Sequence, residues 1–176
     1  MLELHRPQIS IYDAAHLTAA LSSEWTAYVA YVLSFAVIGI MWINHHALFR
    51  TVVHIDRATL LMNLLLLGVT ASIPFATNVL GTYPTLAPAA ELYGATLTSS
   101  AIAFNLLFAH LRRSNAFSSE VPEAAIARNG ARYRIGVGVY ACATLVAFWF
   151  PLVALGAYCA ITIYFLLPGG VDTDFR

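Results

Sequence analysis

"YVLSFAVIGIMWINHHALFR", residues 31–50, is the stretch on which the reading of the chain turns. It is apolar up to Met41 apart from Tyr31 and Ser34, and then closes on Trp42, Ile43, Asn44, His45, His46 and Arg50. Extended back to Thr26, the run is long enough to cross a bilayer, which takes about 20 mostly apolar residues. An apolar segment that ends on an indole, an amide, two imidazoles and an arginine reads as a spanning helix meeting a membrane–water interface.

Composition points the same way. The chain has 176 residues, enough for one domain, and 60% of them are hydrophobic while only 10% are charged. Mean hydropathy is +0.73. A soluble domain carries about 25% charged residues; too few are present here to cover a water-facing surface. Residues 1–176 are therefore read as a single integral membrane domain whose partner is the lipid bilayer. Net charge is zero, there is no lysine, and no basic run of the kind that binds nucleic acid occurs. Cys142 and Cys159 sit inside apolar segments with no metal-ligand pattern and read as packing residues.

Five spans follow, at about 26–49, 58–79, 89–111, 133–150 and 152–167. The expected fold is all-α, a polytopic membrane helix bundle. Pro74 should kink the second span near its end, and Pro151 should close a tight hairpin between the last two. "GTYPTLAP" (81–88) makes a short turn, and residues 112–131 are the long polar connection. Arg50 and Arg57 flank the first loop, and Arg112, Arg113, Arg128, Arg132 and Arg134 crowd the third, while the turns at 81–88 and at "FWFP" have no basic residue. Basic loops mark the cytoplasmic side, so loop 112–131 and the C-terminus are expected there. Five helices then leave the N-terminus outside, yet residues 1–25 hold no signal peptide. A further spanning helix ahead of Met1 would resolve this, and "MLELHRP" reads as the last turn of such a helix.

The polar residues within the spans form stripes at helical period. Glu24, Tyr31, Ser34, Trp42 and His45 share one face of the first span, with Asn44 and His46 to either side. Asp56, Asn63, Thr70 and Thr77 recur every seven residues, as do Glu91, Thr98, Asn105 and Arg112. Polar groups at membrane depth are unfavourable unless paired, so these faces should turn toward protein or water. Two readings stay open. One is helix–helix adhesion, at roughly 0.6 kcal/mol per contact. The other is a network that positions a moving or conducting element, with Trp42, Asn44, His45, His46, Asp56, Arg57, Asn63 and Asn105 as candidates. His45 and His46 are adjacent, whereas metal pairs on helices use i,i+3 or i,i+4 spacing; no metal site is expected. No nucleophile motif, phosphate loop or carboxylate pair occurs, so neither an enzyme nor a cofactor is expected.

The run from Tyr31 to Gly81 resembles the bacterial relatives of the lysosomal and endosomal potassium channel transmembrane protein 175. The likeness rests on Trp42, Ile43, Asn44, His45, His46, Leu48 and Phe49, then on His54, Asp56 and Arg57, and then on Asn63, Pro74 and Phe75. "ELYGATL" (91–97) resembles the start of the next helix of that family. The resemblance implies a six-helix subunit with both ends cytoplasmic, assembled as a homotetramer around a pore for potassium ions. In the family the pore is lined by a first helix bearing a Phe-Ser-Asp motif, and the inner end of the second helix packs against that motif. No Phe-Ser-Asp occurs here, so the pore-lining residues are not identified from this chain; aligned on the family pattern, "MLELHRP" falls where the first helix ends.

The expected function is thus a subunit of a passive potassium-permeable channel in a bacterial inner membrane. The alternative is a non-conducting assembly or accessory protein derived from that family. A small secondary transporter ranks below both, because paired broken helices from inverted repeats are not evident.

Overall fold

A computed structural model of the chain describes residues 17–18, 21–22 and 25–166. Glu24, "MLELHRP" and the tail beyond Leu166 lie outside the described residues. The described chain forms six helical segments: α1 (Trp25–Phe49), α2 (Arg57–Ala71), α3 (Ile73–Thr82), α4 (Ala87–Arg113), α5 (Glu123–Ala147) and α6 (Pro151–Leu166). The pair α2–α3 is one broken span, so the fold is the expected five-helix bundle. Among the described residues, three helical stretches are long and apolar enough to cross a membrane: Tyr31–Phe49, Arg57–Thr82 and Ala87–Arg113.

Local sequence explains where each element starts and stops. Asp56 caps α2, its Oδ1 accepting from the Thr59 backbone N–H and the Thr59 hydroxyl, both at 2.7 Å. The second span breaks at Ser72, two residues before Pro74. Proline lacks the N–H that would continue the ladder and its ring collides with the carbonyl four residues back. The Ser72 N–H and hydroxyl close the end of α2 on the Val69 carbonyl instead, at 3.0 and 2.7 Å. α4 ends with His110, Arg112 and Arg113 in its last turn, matching the negative pole of the helix. Asn115 then adopts φ 51°, a left-handed conformation that asparagine tolerates, and the Ala116 N–H bonds back to Leu111 O at 3.0 Å.

One boundary departs from the sequence reading. The fourth span was expected to start at 133, whereas α5 begins at Glu123, so the polar connection shrinks from 112–131 to 114–122. The first turns of α5 are amphipathic: Ala125, Ile126, Asn129, Gly130 and Tyr133 are buried while Arg128 and Arg134 are exposed. A search for uninterrupted apolar length misses a helix whose outer face is wet.

α4 is the hub. It packs against α2, α3, α5 and α6, while α1 lies on α3 and α6. Two cores stack along it. One gathers Ile73, Leu80, Tyr93, Leu97 and Tyr158 with Ala76, Ala89, Ala90, Ala143, Ala147 and Ala154. The other gathers Leu48, Leu66, Phe104, Leu107, Phe108, Leu111, Ile126 and Tyr133. Below the second core, the loops after α1 and α4 pair with each other. The Val53 N–H donates to Ala116 O at 2.9 Å, the Ser118 N–H donates to Thr51 O at 2.8 Å, and Val52 and Phe117 form an isolated antiparallel bridge. The two arginine-bearing loops therefore share one end of the bundle.

Candidate functional site

The polar residues singled out from the sequence converge on that basic end, though not all in one network. His45, in the penultimate turn of α1, places Nε2 2.7 Å from Asn63 Oδ1 on α2, the geometry of an imidazole N–H donating to an amide carbonyl. This bond joins two helices that otherwise meet little. His45 also packs its ring against Phe49 at 4.5 Å between centroids, which fixes its tilt.

Asp56 makes the second junction. While its Oδ1 caps α2, His110 at the end of α4 brings Nε2 to 3.0 Å from Oδ1 and 3.1 Å from Oδ2. Both groups are part-exposed, with side chains at 39% for Asp56 and 22% for His110. The Thr59 backbone N–H, the Thr59 hydroxyl and His110 hold the Asp56 carboxyl well below the usual carboxylate range. One carboxylate thus starts one helix and clamps the end of another. Nearby, Arg112 Nη2 donates to Glu123 Oε1 at 2.7 Å and ties α4 to the first turn of α5.

Asn105 makes the third junction. Its Nδ2 donates to Ala101 O in its own helix at 2.9 Å and across to Tyr133 O on α5 at 3.0 Å. Asn63 and Asn105 therefore both point at neighbouring helices, as polar groups at membrane depth must.

The remaining candidates take other roles. Asn44 spends its amide N–H on Ile40 O in its own helix at 3.0 Å. Trp42 and His46 stack on each other at 5.3 Å with an 8° interplanar angle and face outward, Trp42 being 64% exposed. Arg57 is exposed at the first position of α2. Asn44 and Asn105 meet again in a cavity of about 70 Å³ between α1, α4, α5 and α6, walled mainly by Val37, Ile40, Phe104, Tyr140 and Phe165.

Sequence reasoning missed three participants. His110 is 54 residues from Asp56, so no spacing rule links them. Gly94 and Tyr158 are the others. The Tyr158 hydroxyl donates to Ala90 O and to Thr144 Oγ1, both at 3.4 Å, and Thr144 lies 3.3 Å from Thr98. Gly94 lets these side chains reach α4: a Cβ there would overlap both the Tyr158 hydroxyl and Thr144 Oγ1. Among the described residues, no cluster of three or more His, Cys, Asp or Glu side chains is arranged to hold a metal ion.

Comparison with known proteins completes the site. Residues 1–74 match the family described as endosomal/lysosomal potassium channel TMEM175. A potassium channel of Streptomyces collinus is 36% identical over 83% of this chain and 73% of its own length. A potassium channel of Chamaesiphon minutus is 33% identical over 95% of this chain and 84% of its own length. The chain belongs to the TMEM175 family. Its fold is that of the family as well: the crystal structure of a lysosomal potassium-selective channel TMEM175 homolog from Chamaesiphon minutus superposes with a TM-score of 0.77 at 32% identity, covering 94% of this chain and 85% of that one. Membership makes this a membrane protein of an ion-channel family and not an enzyme, and it disfavours the accessory-protein alternative. His45, Asn63 and Asp56 lie inside the matched region, so the first two junctions draw on it, whereas Asn105 and Tyr133 lie beyond it.

Proposed function

We propose that this chain is a subunit of a passive potassium-permeable channel in a bacterial inner membrane, with potassium ions as its cargo. The observation that carries the reading is the match, in sequence and in fold, to a potassium-selective TMEM175 homolog over 94% of the chain. Passive conduction needs neither a cofactor nor a coupling ion, only a water-filled path with a constriction that discriminates.

The same reading takes the active form to be a homotetramer. The apolar surface of the single chain supports it: Val32, Phe35 and Trp42 on α1, with Leu60, Leu64 and Leu65 on α2, are each more than half exposed. A surface of that extent is covered by lipid or by another copy. The topology proposed is basic end inward, because the arginine-bearing loops pair at one end while the turns at 83–86 and 148–150 carry none. Within the subunit, the role proposed for His45, Asn63 and Asp56 is to fix the inner ends of α1, α2 and α4 against one another, and for Asn105 to tie α4 to α5, so that whatever lines the conduction path is held in register; Trp42, Asn44, His46 and Arg57 flank this network on α1 and α2.

Flux from liposomes loaded with potassium or sodium tests the reading. Purified protein should release potassium faster than sodium without any added coupling ion. Absence of flux from protein that runs as a monodisperse oligomer would refute the channel assignment. His45→Ala should alter flux or oligomer size, and if it leaves both unchanged the positioning role is lost while conduction stands.

A further inference from the structure

A second site lies on the outer surface of the bundle, beside the Asn105–Tyr133 junction. α4 and α5 frame an open groove of about 720 Å³ at the basic end. Its floor is apolar, made by Ile102, Leu106, Ala109 and Val137. Its mouth is ringed by Arg112, Arg113 and Arg134. Ile102 and Leu106 are 43% and 51% exposed, so the floor is open and not sealed by the fold.

The charges at the mouth are not balanced. Arg112 is neutralised by Glu123. Arg113 and Arg134 are exposed and have no carboxylate partner among the described residues. Arg134 starts deep, at the level where Asn105 bonds to the Tyr133 carbonyl. Its guanidinium runs back along α5 to lie beside Gly130. An arginine that begins at membrane depth and carries its charge toward the interface is snorkelling. Two guanidinium groups held at one mouth suit a phosphodiester, which they engage through paired N–H donors.

The floor has the length of an acyl chain. From Arg113 to Ile102 the α4 backbone rises about 16 Å at roughly 1.5 Å per residue, close to half of the roughly 30 Å hydrocarbon core. We propose that this groove is a binding site for an anionic phospholipid, whose phosphate sits between Arg113 and Arg134 and whose acyl chain lies over Leu106 and Ile102. The inference rests on the membrane topology proposed above, with this end at a lipid headgroup layer, but not on conduction.

Native mass spectrometry of the detergent-purified protein tests it, with phosphatidylglycerol and phosphatidylcholine of identical acyl chains as probes. Phosphatidylglycerol should be retained in preference. The double variant R113Q/R134Q should lose that preference, by roughly fivefold for each arginine removed, whereas R113K/R134K should keep most of it. R50Q, an exposed arginine outside both the groove and the positioning network, should leave that preference unchanged. Leu106→Trp fills the groove without altering charge and should also lower retention, which covers the case of a double variant that elutes as aggregate. Equal retention by wild type and R113Q/R134Q overturns the proposal. So does an R50Q loss as large as that of the double variant, since the attraction would then be diffuse. Displacement of phosphatidylglycerol by equimolar glycerol phosphate also overturns it, because the site would then recognise the anion alone. Potassium flux of R113Q/R134Q in phosphatidylcholine liposomes separates the two readings: a site without conduction, or conduction without a site, each leaves the other result intact.

Discussion

The two cores stacked along α4 are built in opposite ways. The one at the neutral end surrounds two tyrosines with alanines, and its helices come close enough that Gly94 has no room for a methyl group. The one at the basic end is filled with leucine and phenylalanine, with Tyr133 set edge-on against Phe104 and Phe108 at 4.8 and 5.2 Å. Only the basic end adds the Asp56–His110 and His45–Asn63 pairs and the loop-to-loop backbone bonds. Helices in lipid gain little from hydrophobic burial against each other, so association rests on close packing and on hydrogen bonds. This molecule relies on close approach with long hydroxyl bonds at one end, and on shorter side-chain pairs and main-chain bonds at the other.

The sharpest way to break that contrast is at Gly94. Gly94→Ala should destabilise the protein by about 1–3 kcal/mol, the range for overpacking a filled site, read as a lower unfolding midpoint in detergent. The double variant G94A/Y158F removes one of the colliding atoms and should recover part of the loss. A Gly94→Ala midpoint equal to wild type would mean that the neutral end packs no more tightly than the basic one.

The next effect belongs to Asp56. Asp56→Ala removes a helix cap and the His110 partner together, and should lower Tm by a few degrees. The carboxyl is held below its ordinary range, so its stabilisation is complete above the unfolded value of about 4 and is lost as pH falls through the lower folded value. Wild type should therefore stay more stable than Asp56→Asn from pH 7 down to roughly pH 4, and the two should converge only below it. Convergence already near neutral pH would show that the cap does not depend on the ionised carboxylate.

The smallest effect is expected for the His45–Asn63 pair. Asn63→Ala should cost about 0.6 kcal/mol, as inter-helix hydrogen bonds in membranes do, and H45A/N63A should cost less than the two single changes summed. Strict additivity would mean that the 2.7 Å contact contributes no coupling.

Much of this arrangement was legible in the residues. Apolar length located the three helices long and apolar enough to cross a membrane, Pro74 announced the break, and the seven-residue recurrence of Asp56 and Asn63 turned both toward neighbouring helices. The start of α5 was not legible, because backbone hydrogen bonding sustains a helix through water-exposed turns that an apolar-length criterion discards. The Asp56–His110 pair was not legible either. Its distance in sequence is closed by two loops docking through main-chain bonds, and main-chain bonds leave no mark on residue type. Gly94 sits in a run of small residues, "YGATLTSS", where nothing distinguishes the one position pressed against a tyrosine.

The interruption at Ser72 has a mechanical consequence. An unbroken helix transmits torque, since turning one end carries the ladder of hydrogen bonds round with it. Here the lower segment is anchored by its cap and by His45, while the upper segment is seated against α1, and between them stands a single residue without a continuous ladder. The two halves meet through one αR turn at Ser72, whose N–H reaches Val69 O and whose carbonyl accepts from Ala76, so each half of this span is fastened to different neighbours.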